Sequence, residues 1–257
     1  MRKLIFIVLI LTGLSSVYSS PITTGEELYY KITYMGIKLA DANIKTQSTD
    51  YVNGSPCYVV KANLNTPPGM PFVDARINFT SYTEQTLNRS RQFIRHMSLM
   101  GGEWEYQKLF FNYSGSRILN KKWIKKQLMH TSRHSMEGSS RIHDLISLAF
   151  MIRSRSYQKA PYSAKAIIDA GVFDVRINQT GSKESVEIGA VDHPVRCRHV
   201  SGNANWKMYG MTGFAEAWFS DDDARIPVKA YIDLKIGKAK VELVRWKRAG
   251  WKPPYGN

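Results

Sequence analysis

Few side chains in this sequence combine reactive chemistry with a suggestive spacing. His130 and His134 stand four residues apart, the interval at which two imidazoles on one helix face would hold a metal ion, and His143 and Asp144 follow as candidates to complete the ligand set. The residues around the pair lack a helical apolar period, so histidines on a solvated loop explain the spacing as well. Glu103 and Glu105 share one face of an extended segment, where two carboxylates in unlike surroundings can divide acid and base work. A solvated face of an antiparallel sheet places them in the same way. His96, His193 and His199 read as sheet residues. No Gly-x-Ser-x-Gly elbow or Gly-rich phosphate loop is present, and neither cysteine is set in a nucleophile signature. The sequence therefore assigns no catalytic residue, no metal ligand and no cofactor, and it points away from an enzyme.

Cys57 and Cys197 are the two cysteines, and each falls in a strand-like run. An oxidising compartment would allow a disulfide between them, with two buried free thiols as the alternative. The start of the chain indicates such a compartment. Arg2 and Lys3 precede an apolar run from Leu4 to Leu14, and Val17 and Ser19 occupy the small-residue positions before a cut after Ser19. Residues 1–19 thus read as a signal peptide, too short in apolar length to span a bilayer comfortably, and residues 20–257 as one soluble domain in the periplasm or secreted.

The composition, 43% hydrophobic and 22% charged, is that of an ordinary globular protein, which excludes collagenous, disordered and disulfide-dense classes. The charge balance is not ordinary: 36 Lys and Arg oppose 21 Asp and Glu, a net +15, or +13 without Arg2 and Lys3. Residues 115–165 carry eleven bases against two acids, and residues 238–252 six against one. For an exported chain the natural counterpart is anionic lipid or glycan rather than nucleic acid, with peripheral contact to a membrane; plain solubility is the competing explanation. The densest point is KKWIKK. Lys121, Lys122, Trp123, Lys125 and Lys126 there combine an aromatic at headgroup level with cations for phosphates, although a lysine-bearing edge strand has the same composition.

The elements that position these residues read mainly as strands. From Glu26 onward, short runs alternate apolar and polar residues between Gly, Asn, Asp and Pro. The pattern predicts strands over 27–34, 37–47, 57–64, 75–87, 91–99, 103–113, 172–180, 183–190, 194–200, 213–220, 226–236 and 238–247. Asn53-Gly54 and Asp221 to Asp223 read as hairpin turns, and the proline-rich 66–71 as a loop. One segment changes period: over 140–153, Ile142, Leu145, Ile146, Ala149 and Phe150 recur at helical spacing, with Ser140 as cap and Asp144 near the positive end. The polar RSRSYQKAPYSAK after it reads as an exposed connection. The fold class is all-β, mainly antiparallel, with one amphipathic helix.

Three stretches resemble one known family, the exported bacterial proteins of domain of unknown function 3108. GEELYYKITYMGIKLADANI is similar to its first hairpin, and IHDLISLAFMIR to its Asp-x-x-Ser helix followed by an arginine. GFAEAWFSDDDARIPVKAYIDLKIGKAKVELV resembles its closing Trp-x-Ser-Asp-Asp, Arg-Ile-Pro-Val and glycine-led last strand. The resemblance implies an exported β protein with a curved or barrel-like sheet and supplies no catalytic residues. The expected function is a non-enzymatic envelope protein that binds or carries an apolar or amphiphilic ligand. An envelope-polymer hydrolase and a structural or assembly partner are the alternatives. An empty apolar cavity would favour the carrier, convergent acids in a concavity the hydrolase, and a filled core the structural protein.

Overall fold

The computed structural model describes residues 20–70, 74–136, 139–169, 171–206 and 210–256; the segment read as a signal peptide, 1–19, lies outside the described residues. Fifteen strands and one helix follow in order: β1 (Glu27–Tyr34), β2 (Ile37–Val52), β3 (Ser55–Asn65), β4 (Ala75–Glu84), β5 (Ser90–Leu99), β6 (Glu105–Asn112), β7 (Arg117–Ile124), β8 (Gln127–Ser135), β9 (Ile142–His143), α1 (Leu145–Arg155), β10 (Tyr162–Ile168), β11 (Gly171–Val186), β12 (Val195–Ala204), β13 (Met211–Ser220), β14 (Pro227–Leu234) and β15 (Lys238–Lys247). They form one sheet ordered β8-β7-β6-β5-β4-β3-β2-β1-β15-β14-β13-β12-β11-β10-β9. Among the described residues only β9 and β10 pair in parallel. The chain starts mid-sheet, steps outward to β8, crosses to the other edge through β9 and α1, and steps back until β15 pairs with β1.

The sheet curls around the helix without closing. Ile146 and Phe150 pack into a cluster with Val60, Phe93, Leu109, Phe111, Ile118 and Ile167, mostly from the first half of the sheet. Leu145, Leu148 and Ile152 pack instead against Ile168, Val175, Ile177, Val200 and Phe219 of the second half. The tip between β10 and β11 completes the curl. The Asp169 carbonyl there accepts from Gln107 Nε2 of β6 at 2.7 Å and from Asn120 Nδ2 of β7 at 3.4 Å, while its carboxylate meets Arg95 of β5 at 2.7 Å. A curved, barrel-like sheet is the result.

Most predicted strands are present, and β15 has the predicted bounds. Asn53 and Gly54, with φ of 48° and 74°, make the β2–β3 turn in the left-handed conformation that such a dipeptide favours. Several expectations are corrected. The two strands expected over 172–190 are a single β11, ending at Val186, with a register irregularity between Gln179 and Lys183. RSRSYQKAPYSAK is not one exposed connection: its start completes α1 and its end opens β10. The helix begins at Leu145 rather than Ser140, because Asp144 is its cap and Ile142 and His143 are extended against β10. A helix between two half-sheets also needs more than one apolar stripe, so Ala149 is exposed while Met151 and Arg153 are buried.

Candidate functional site

The helix is seated by polar groups at both ends. At its start, Asp144 Oδ1 accepts from the backbone N–H of Ile146 (2.8 Å) and Ser147 (3.0 Å), two donors that lack a partner within the helix. Asp144 Oδ2 accepts from Ser81 Oγ of β4 at 2.7 Å and from Ser90 Oγ of β5. Burial pushes the Asp144 carboxyl above the usual carboxylate range, against the downward pull of these four bonds. Ser147 Oγ lies 3.0 Å from Ser90 Oγ and 3.1 Å from His143 Nδ1. Near the other end Arg153, 2% exposed, makes a two-pronged contact with Glu26 at 2.5 and 2.8 Å and donates to the carbonyls of Pro21 and Ala224. Arg248 joins it on Glu26. Asp144, Ser147 and Arg153, the three residues of the helix motif, thus dock the helix inside the curl and leave no hydroxyl aligned with a base over open space.

Where α1 begins, the curl encloses an almost wholly apolar cavity of about 410 Å³. Ile77 and Phe79 of β4, Met97 and Leu99 of β5, Leu145 of α1 and Ile168 of β10 wall it, with Trp206 and Met211 from the end of β12 and the start of β13. This volume lies in the range of small-molecule sites. Buried Arg95 and partly exposed Asp169, the pair that completes the curl, stand in its wall. Gly213 helps place Trp206: at φ +92°, an added Cβ would lie 2.0 Å from the Ala204 carbonyl oxygen and 2.7 Å from that of Trp206, so only glycine lets the two segments pass this closely. Sequence reasoning named none of these wall residues except Leu145. Arg95 and Asp169 are 74 residues apart, and no local pattern announces such a pair.

The basic segment lies on the hairpin of β7 and β8, at the sheet edge. Lys125 and Lys126 form its turn, both left-handed at φ 50° and 65°. Trp123 is edge-on to Tyr106 at 5.2 Å, Tyr106 to His96 at 6.2 Å, and His96 lies 4.4 Å from Trp104, a row of aromatics on the convex face. Lys121 stands opposite Lys108 on that side. Lys122 pairs with Glu105 and Lys125 with Glu103 (2.8 Å), so the two glutamates are separate ion-pair partners rather than a joined acid and base. Lys121 and Lys126 have no ion pair among the described residues.

Of the two states the sequence allows for the cysteines, the free thiols are present and the disulfide is not. Cys57 of β3 and Cys197 of β12 are free and buried, and five strands lie between theirs in the sheet. Burial pushes their thiols up to about 11 and about 12, which makes both poor nucleophiles. His130 and His134 lie on β8, not on a helix or loop. His143 is buried beside α1 and bonded to Ser147, and among the described residues no three His, Cys, Asp or Glu gather as metal ligands would. The Asp221 to Asp223 turn is as expected: Asp222 Oδ1 accepts from the backbone N–H of Ala224 and Arg225, both at 3.0 Å.

A family model described as a protein of unknown function, DUF3108, matches residues 29–244. No curated protein matches the chain. Among solved structures, a β-barrel-like protein of domain of unknown function DUF1849 from Brucella abortus is similar at a TM-score of 0.56 and 8% identity, over 86% of this chain and 96% of that one; the likeness is one of fold alone. A candidate exported protein with a YmcC-like fold from Bacteroides fragilis aligns at a TM-score of 0.41 and 9% identity, over 89% and 98% of the two chains. A candidate lipoprotein from Parabacteroides distasonis aligns at 0.33 and 10%, over 88% and 96%.

Proposed function

The chain belongs to the DUF3108 family of proteins of unknown function, and we propose that it acts in the periplasm or outside the cell, after removal of residues 1–19, as a non-enzymatic binding or carrier protein. Its apolar cavity shelters an apolar or amphiphilic ligand, and its basic hairpin meets anionic lipid or glycan at the envelope surface. The cavity carries this reading. A sheet that only needed a stable core would fill such a space with side chains, since unfilled volume forfeits packing energy. The carboxylates at the cavity do not converge on open space, which weighs against a hydrolase: Asp169 is held by Arg95, and Asp74 is an exposed partner of Arg76 at 3.7 Å. The hairpin adds Trp123 and Lys121 of β7 and Lys126 of its turn, the two lysines being without an ion pair among the described residues.

Native mass spectrometry of protein purified from its own envelope tests the reading, together with displacement of a hydrophobic dye by long-chain alcohols and fatty acids. A retained lipid-sized adduct, lost in Met97→Trp because the indole occupies the cavity, is the expected result. A ligand-free native protein from which no long-chain compound displaces dye would overturn it.

A further inference from the structure

A second cavity, of about 350 Å³, opens at the other end of β10 and of the β4–β5 hairpin, lined by Arg141, His143, Arg155, Ser163, Lys165 and Asn88 among others. Unlike the first, it has a wall about half of which is polar. Among the described residues Asp174 is the one carboxylate on its wall, and it is engaged by Lys165 at 2.9 Å. The Arg155 guanidinium lies 5.3 Å from the Tyr162 ring centre and has no acceptor among the described residues, nor has the Arg141 side chain. His143 is 3% exposed, and Ser147 occupies its Nδ1, so Nε2 is left without a protein partner. Ser147 Oγ has the Asp144 carbonyl at 3.3 Å as well as His143 Nδ1 at 3.1 Å as acceptors for its one proton, so both tautomers fit the network, and Nε2 meets a ligand as a donor in one and as an acceptor in the other. Burial and the neighbouring Arg155 hold the ring neutral at pH 7.

Two guanidinium forks without acceptors among the described residues and one imidazole nitrogen without a protein partner therefore line one space. We propose that this cavity is a binding site for a phosphate-type oxyanion, with Arg141 and Arg155 as the clamp and His143 Nε2 as the third contact. A carboxylate has only two oxygens and no proton, whereas hydrogen phosphate has oxygens for both planar arginine forks and can either accept from or donate to Nε2. The phosphate can belong to a free ion or to a lipid headgroup, and the chemistry of recognition is shared. The site is independent of the apolar cavity, and neither Arg141 nor Arg155 contributes to the helix seat.

Isothermal titration of the full mature chain at low salt tests the proposal, with inorganic phosphate, glycerol phosphate, dodecyl phosphate below its micelle concentration and acetate as probes, and the His143 imidazole NMR signals as the local reporter. Phosphate is expected to bind, to move the His143 signals and to bind at least about tenfold tighter than acetate, since two of the donors are charged. Arg141→Gln with Arg155→Gln should lose phosphate binding while keeping the wild-type melting temperature to within a few degrees, and Lys121→Gln with Lys126→Gln should bind as wild type does. Preference for dodecyl phosphate over glycerol phosphate assigns a lipid source, and equal affinity a free phosphate. The proposal is overturned if phosphate leaves the His143 signals in place, if acetate matches it, or if the double arginine variant binds as the wild type does.

Discussion

Replacing Arg153 with Met should cost the protein about 3 kcal/mol of stability, the lower end of the range for breaking a buried ion pair. The guanidinium is 2% exposed and makes five hydrogen bonds: two to Glu26, two to the Ala224 carbonyl and one to the Pro21 carbonyl. The loss stays at the lower end because Arg248 also reaches Glu26 and Pro21, so the carboxylate keeps a cationic partner. Glu26→Gln should cost more, about 4–5 kcal/mol, because it leaves a buried guanidinium with Arg248 beside it and no anion between them. The double variant Glu26→Met with Arg153→Met should lose less than the sum of the two singles, since neither then strands a charge. Urea unfolding followed by tryptophan fluorescence measures all three, with slopes compared to confirm that the unfolded states match. Arg153→Met within about 0.5 kcal/mol of wild type, the range of neutral surface changes, or strict additivity of the pair, would refute the reasoning.

Four further outcomes follow from the same structure. His143 has a pKa lowered to about 4 by burial and by Arg155, so between that value and its ordinary 6.5 the unfolded chain binds the extra proton; stability should fall by about 3 kcal/mol as pH drops from 7 to 4, and His143→Gln should remove that slope in urea titrations. Ile146→Ala should cost about 2–5 kcal/mol, and Leu145→Ala less, because Leu145 borders the cavity and is only half-buried; thermal unfolding compares the two. Lys125→Asn with Lys126→Gly should stabilise the hairpin by about 1 kcal/mol, since two lysines hold left-handed conformations there; calorimetry checks the sign. Lys121→Gln with Lys126→Gln should weaken adhesion to anionic vesicles roughly 30-fold at low salt, at about 1 kcal/mol per lysine, while Lys122→Gln changes little because Glu105 already pairs with Lys122; co-sedimentation reads both.

What the sequence displays and what it conceals divide along one physical line. Strands such as ELYYKITY were legible because one face is buried and the other wet, which writes a period of two into the chain. β8 escaped because, at the sheet edge, nearly all of its residues are exposed and nothing selects an alternation. β10 escaped because Ser163, Ala164, Lys165 and Ala166 precede its two isoleucines, a composition that suits close packing beside β9 but carries no strand signature. The helix was visible, yet its cap was misplaced, since both Ser140 and Asp144 have capping side chains and only the serines of β4 and β5 decide between them. The cavity was not legible in any segment. Its wall is assembled from β4, β5, α1, β10 and the β12–β13 connection, and Trp206 or Met97 in isolation looks like any other core residue.

The pairing of β1 with β15 also sets the order in which this protein can fold. Every other ladder joins strands that follow one another in the chain, so each half can zip from local hairpins at little entropic cost. The β1–β15 ladder instead brings Glu27 opposite Lys247 and cannot form until the last strand is available. A chain emerging amino end first therefore holds one edge of β1 open throughout its delivery, with Leu28 and Tyr30 waiting for the partners that will cover them. The seat of Arg153 waits too, because Pro21, Glu26, Ala224 and Arg248 meet only after that ladder closes. Closing it joins the two half-sheets around the helix, and until then the open β1 edge is a place where a second copy of the chain can pair by mistake.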